Sequence, residues 1–135
     1  MKLIFSIGLF LLVAGCSGTG SVKIAEQGIE KFHAEFNAGH YAQLYDASAQ
    51  DMKAATKREE FISFLAGAHK KLGPFKSGKQ VGWNDNYATG GHFVTIQYES
   101  QFARGAAQEQ FVFRVSDDKP ILAGYHVNSN LFVTS

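Results

Sequence analysis

The periodicity of the apolar residues changes once along this chain of 135 residues, at Gly73-Pro74. Before that point apolar residues recur at steps of three and four, which is typical of helices that pack on one side. After it they alternate with polar residues, which indicates half-buried strands. We therefore expect one α+β domain, with N-terminal helices packed on a four-stranded antiparallel meander.

Three helices are predicted before Gly73. The first carries an apolar stripe from Val22 to Phe36 and ends near Gly39, a residue suited to a left-handed C-terminal position. A shorter helix is expected from His40 to about Ala47. The next begins at a capping box, Thr56 to Glu59. Its core stripe is expected to contain Phe61, Phe64, Leu65, Ala68 and Leu72.

Turn residues divide the second half of the chain into four strands. Turns are predicted at Gly90-Gly91, Arg104-Gly105 and Asp117-Asp118. Simple alternation predicts which side chains of the last strand share the core face, namely Ile121, Ala123, Tyr125 and Val127.

The N-terminus is predicted to be a secretory signal. Lys2 supplies a positive start, and Leu3–Ala14 is an uncharged, mostly apolar run. Because a helix needs about 20 apolar residues to span the bilayer core, this run is too short to remain as a membrane anchor. Cys16, the only cysteine of the chain, follows it, so an internal disulfide is excluded. A nucleophile, a metal ligand, an intermolecular disulfide and an attachment point remain open for Cys16.

The string Val13-Ala14-Gly15-Cys16 resembles the lipobox of bacterial lipoproteins. The resemblance implies cleavage before Cys16, lipidation of its sulfur and acylation, with palmitate for example, of the new amino group. Residues 1–15 would then be a signal peptide and residues 16–21 a lipidated tether. Ser17 in place of Asp implies delivery to the outer membrane, where the chain would face the periplasm.

The domain expected over residues 22–135 also carries a resemblance. The strings "AGHYAQLYDAS", "VTIQYESQF" and "EQFVFRV" are similar to a bacterial envelope family known only as a domain of unknown function. The order of helices and strands resembles the cone-shaped nuclear-transport-factor-two-like fold, which implies a curved sheet. The resemblance brings no catalytic residues with it.

Charge and motif patterns argue against several function classes. Removal of residues 1–15 leaves 12 basic and 12 acidic residues, without the basic excess of a nucleic-acid binder. The segment from Gly73 to Gln80 is not a P-loop, because Gln80 stands where Ser or Thr would hold Mg²⁺. The five histidines show no metal-binding spacing, so neither a metal nor another cofactor is expected.

A candidate pocket is predicted on the core face of the strands. By alternation Glu109 shares the inward face with Phe111 and Phe113. Tyr98 and Tyr125 lie on apolar strand faces, and Trp83 is expected near the pocket mouth. No companion Asp or His is predicted for Glu109. Alternatively, Glu109 lies in water at a strand end and both tyrosines are core residues.

The expected function is a binding or accessory module in the envelope, held at the membrane by its lipid. Its partner would be an envelope protein or a small ligand. The alternative is an isomerase or hydrolase of a small apolar substrate that uses Glu109 as acid or base.

Overall fold

The computed structural model describes residues 20–133. The predicted signal peptide, Cys16 and the first part of the tether lie outside these residues. Four helices come first: α1 (Gly20–Asn37), α2 (Tyr41–Asp46), α3 (Gln50–Ala55) and α4 (Arg58–Leu72). The strands β1 (Phe75–Ala88), β2 (Gly91–Phe102), β3 (Gly105–Ser116) and β4 (Lys119–Asn128) follow, and a 3-10 turn covers Asn130–Phe132.

The strands form one antiparallel sheet in chain order, β1-β2-β3-β4, with β1 and β4 at its edges. This arrangement confirms the predicted α+β class and the four-stranded meander. Within the described residues, no helix is both long and apolar enough to cross a membrane.

Helix α1 places its predicted stripe in the core. Its buried apolar residues are Val22, Ala25, Ile29, Phe32 and Phe36. The helix begins at Gly20, so the last two residues of the predicted tether are helical. At its other end Asn37 fixes α1 to β1: the side-chain amide donates to the Phe75 carbonyl at 3.0 Å and accepts from the Phe75 N–H at 2.8 Å.

Two predictions for α4 are wrong. The capping box does not form, because the N-cap residue is Lys57 and no side chain caps this end. Phe64 is 47% exposed instead of buried. At about 100° per residue, the buried positions of α4 fall within an arc of about 60°, and Phe64 lies about 40° outside it. These buried positions are Phe61, Leu65, Ala68 and Leu72.

The predicted core face of β4 is also wrong in its first half. A register shift pairs Val112 with Gly124 but Phe113 with Leu122, which leaves Ala123 as the extra residue of a β-bulge. The bulge resets the alternation of side chains. Leu122 therefore packs in the core in place of Ile121 and Ala123, and Tyr125 still packs against the core.

Gly28 permits close contact between α1 and the β3–β4 hairpin. A Cβ atom at this position would lie 2.6 Å from the Phe113 ring and 2.9 Å from Pro120 Cβ. Because a glycine inside a helix costs about 0.5–1 kcal/mol relative to alanine, this contact accounts for its presence in α1.

We predict opposite effects for two glycine-to-alanine substitutions in helices. Gly28→Ala lowers the free energy of unfolding by about 1–3 kcal/mol, because the methyl group overpacks the contact with Phe113. The matched control Gly67→Ala, at a position with no atom within 4 Å of an added Cβ, leaves stability unchanged or raises it by up to about 1 kcal/mol. Urea unfolding measures both, and a stabilising Gly28→Ala would contradict the packing described.

Candidate functional site

Glu109 lies in the middle of β3 on the face that packs against the helices. It is only 1% exposed and pairs across the sheet with Tyr98 on one side and Val127 on the other. Glu109 is therefore not a solvated residue at a strand end, and the predicted inward orientation is confirmed.

Three side chains from three other elements hydrogen-bond to the Glu109 carboxylate. His33 Nε2 of α1 lies 2.8 Å from Oε1, and Ser100 Oγ of β2 donates to the same oxygen at 2.5 Å. The Tyr125 hydroxyl of β4 donates to Oε2 at 2.5 Å. We refer to His33, Ser100, Glu109 and Tyr125 as the Glu109 network.

Aromatic rings enclose the His33 imidazole. Phe75 stacks on it with 3.5 Å between ring centroids and 4° between planes. Three further rings meet it edge-on, those of Phe32, Phe102 and Phe111. The side chains of His33 and Glu109 are 6% and 0% exposed, so this packing closes the pair off from solvent.

The network satisfies the hydrogen-bonding needs of a buried carboxylate. An ionised carboxylate only accepts hydrogen bonds. The Ser100 and Tyr125 hydroxyls donate to it, and His33 donates in the tautomer that carries its proton on Nε2. The pKa of the Tyr125 hydroxyl is raised well above its ordinary value. Burial is the largest cause, and the negative charge of Glu109 and the hydrogen bond to it add to the effect. Burial and the charge of Glu109 also raise the pKa of Tyr98. Both phenols are thus held in the protonated form.

The structure brings together three of the four residues predicted for the pocket. Tyr98 lies beside the network, with its ring centroid 5.7 Å from that of His33. Trp83 does not join these residues, because it lies on edge strand β1 with 43% of its surface exposed. Aromatic side chains fill the space around Glu109, so the expected pocket is a packed core at this point.

Sequence reasoning missed His33 and Ser100, and the expectation that Glu109 has no companion is wrong. Both positions carried a signal. His33 lies four residues after Ile29, on the buried face of α1, and Ser100 stands between Tyr98 and Phe102 in the inward alternation of β2. Each is a polar residue at a position that the pattern assigns to the core.

A histidine hydrogen-bonded to a carboxylate is the chemistry of general acid–base catalysis, but such a group must reach its substrate. The Glu109 side chain is closed off from solvent, and its hydrogen bonds link one helix with three strands. In this closed arrangement the network acts as a polar clamp, which means that it holds α1 against the sheet. Among residues 20–133, no group of three or more His, Cys, Asp or Glu side chains could hold a metal ion.

The geometry defines a class: an α+β domain with helices on one face of an antiparallel meander and a closed His–Glu cluster in its core. Residues 30–125 match the model of a family described as protein of unknown function, DUF4019. The match covers more than two thirds of the chain and includes the whole Glu109 network. The chain therefore belongs to the DUF4019 family. A search of curated proteins finds no significant match.

The raised pKa of Tyr125 predicts a loss of stability in alkali. The unfolded state releases the tyrosine proton near pH 10 and the folded state retains it, so the contribution is complete below pH 10 and is lost as pH rises above it. Each tyrosine with a raised pKa steepens the decrease in the free energy of unfolding by up to about 1.4 kcal/mol per pH unit. In urea unfolding between about pH 9 and 11, Tyr125→Phe flattens the fall, whereas the control Tyr87→Phe, 78% exposed, does not. Equal slopes in wild type and Tyr125→Phe would contradict this.

Proposed function

We propose that this chain is a bacterial envelope lipoprotein whose domain binds a partner or ligand and does not catalyse a reaction. In this proposal residues 1–15 are removed, Cys16 carries the lipid, and the domain faces the periplasm from the outer membrane. The lipobox-like Val13-Ala14-Gly15-Cys16 and the short apolar run before it support the anchor.

The closed state of the Glu109 network is the observation that carries the binding function. The acid–base pair of this domain is buried under aromatic rings, whereas apolar side chains are exposed elsewhere. Val81, Trp83 and Tyr87 are 52%, 43% and 78% exposed, and all three lie on edge strand β1. Exposed apolar groups on an edge strand favour docking over catalysis.

The start of α1 at Gly20 shortens the proposed tether. Residues 16–19 reach at most about 14 Å when fully extended. A domain held this closely meets its partner or ligand beside the membrane surface. Persistent anchoring takes two or more acyl chains, which the proposed modification of Cys16 supplies.

The proposed fold type is the nuclear-transport-factor-two-like cone. Its support is the element order, with the helices before a four-stranded meander and packed on one face of it. The closed network and the β4 bulge are details that this general type does not specify.

One observation favours a second candidate function, an isomerase or hydrolase acting on a small apolar substrate. Glu109 has a histidine partner at 2.8 Å and a phenol at 2.5 Å, which are suitable groups for proton transfer. This function requires α1 to move away from the sheet, because the carboxylate is otherwise out of reach.

The lipid anchor predicts a change in fractionation. Cys16→Ala moves the protein out of the membrane fraction after alkaline washing, blocks removal of residues 1–15 and abolishes incorporation of radiolabelled palmitate, since only the thiol forms the thioether. The matched control Ser17→Ala keeps all three properties. Unchanged fractionation and labelling of Cys16→Ala would contradict the proposed anchor.

A further inference from the structure

A groove of about 370 Å³ lies between α1, α2 and the β3–β4 hairpin, apart from the Glu109 network. Its floor is apolar and is formed by Phe32, Leu44, Phe113 and Leu122. Lys31 of α1 and Lys119 of β4 also line it. The groove is within the size range of small-molecule sites, at the lower end.

Both lysines are exposed, and across the part of the chain that the structure describes neither has a carboxylate within 4.0 Å. Lys31 lies inside α1, and Lys119 follows a tight turn whose two residues, Asp117 and Asp118, have φ of 52° and 57°, so the backbone brings both residues to the rim of the groove. Two ammonium groups beside an apolar floor complement an anion with an apolar tail.

The shape of the floor favours a slender occupant. Its four residues are each at most 9% exposed, so they offer contact along a crevice and not a broad apolar patch. Gly28 also lines the groove. Because it has no side chain, Phe113 and Pro120 pack directly against the backbone of α1 at this point. A single extended hydrocarbon chain suits such a crevice better than a flat protein surface does.

We propose that this groove binds a long-chain carboxylate, with the chain along the apolar floor and the head group between Lys31 and Lys119. This inference rests on the proposed binding function and names its ligand class. It does not depend on the lipid at Cys16.

A second groove on the same molecule provides a contrast. It measures about 270 Å³ and lies between α4 and the 3-10 turn, where Phe64 and Phe132 form its apolar lining. Its only lysine, Lys71, is 3.5 Å from the Phe132 carbonyl, to which it donates. This groove therefore lacks the paired, unengaged cations of the first.

The test is photo-crosslinking of the full chain in phosphatidylcholine vesicles, with a long-chain carboxylate that carries a diazirine in its tail. We expect labelled peptides from the floor, at Leu44 and Leu122, and competition by unlabelled carboxylate. Lys31→Glu/Lys119→Glu reduces labelling about tenfold, because both attractions become repulsions. The control Lys76→Glu makes an equivalent change on exposed strand β1 and leaves labelling unchanged. Thermal melting confirms that all variants are folded.

Several results would overturn the inference. Equal labelling by an alkylammonium probe of the same length would show that the lysines do not select the ligand. Labelling confined to Val81–Tyr87 would reject the groove but keep the proposed binding function. Labelling by a photoactivatable phosphatidylglycerol in place of the free carboxylate, or crosslinks between two copies of the chain at the groove, would assign it another occupant. Loss of the anchor in Cys16→Ala bears on localisation alone.

Discussion

The buried carboxylate of Glu109 determines how the elements of this domain must fit together. Removing a carboxylate from water is costly unless hydrogen bonds replace those of the solvent. Here the replacements come from α1, β2 and β4, through His33, Ser100 and Tyr125. A shift of any of these elements would leave a buried polar group without a partner, so the network specifies one register of the helix on the sheet.

The bulge in β4 is required by this arrangement. Leu122 packs in the core near one end of β4, and Tyr125 reaches Glu109 three residues later. In an uninterrupted strand, residues three apart point to opposite faces. The extra residue Ala123 allows both to face inward. The aromatic rings then close over His33, with Phe75 stacked against it and Asn37 holding the start of β1 beside α1.

Periodicity was sufficient to predict the fold class, three of the four helices, the four strands and the inward orientation of Glu109, but it did not predict α3 as a separate helix. It failed where a single residue departs from the pattern. The alternation of apolar and polar residues gives no sign of the bulge at Ala123. Phe64 is one of the apolar residues of α4, but it lies outside the arc of positions that are buried. His33 was missed because a lone histidine is more often solvated, although its position on α1 is a core position.

We propose binding at the surface, and not chemistry in the core, because of how these polar groups are arranged. Groups arranged for catalysis commonly cost stability, and replacing them often stabilises the protein. Replacing polar groups that hold a core together has the opposite effect and destabilises the protein. The Glu109 network belongs to the second kind: its carboxylate is hydrogen-bonded and enclosed, while the groove with Lys31 and Lys119 and the exposed apolar side chains lie elsewhere.

The most direct measurement is the free energy of unfolding of Glu109→Gln at neutral pH, with Glu99→Gln, at an exposed position of β2, as the matched control. A clamp predicts a loss of at least about 2 kcal/mol for Glu109→Gln, because hydrogen bonds to a charged group contribute about 1.5–3 kcal/mol each. The control is expected to change by less than about 0.5 kcal/mol. A Glu109→Gln protein as stable as the wild type, or more stable, would contradict the account and favour a catalytic carboxylate.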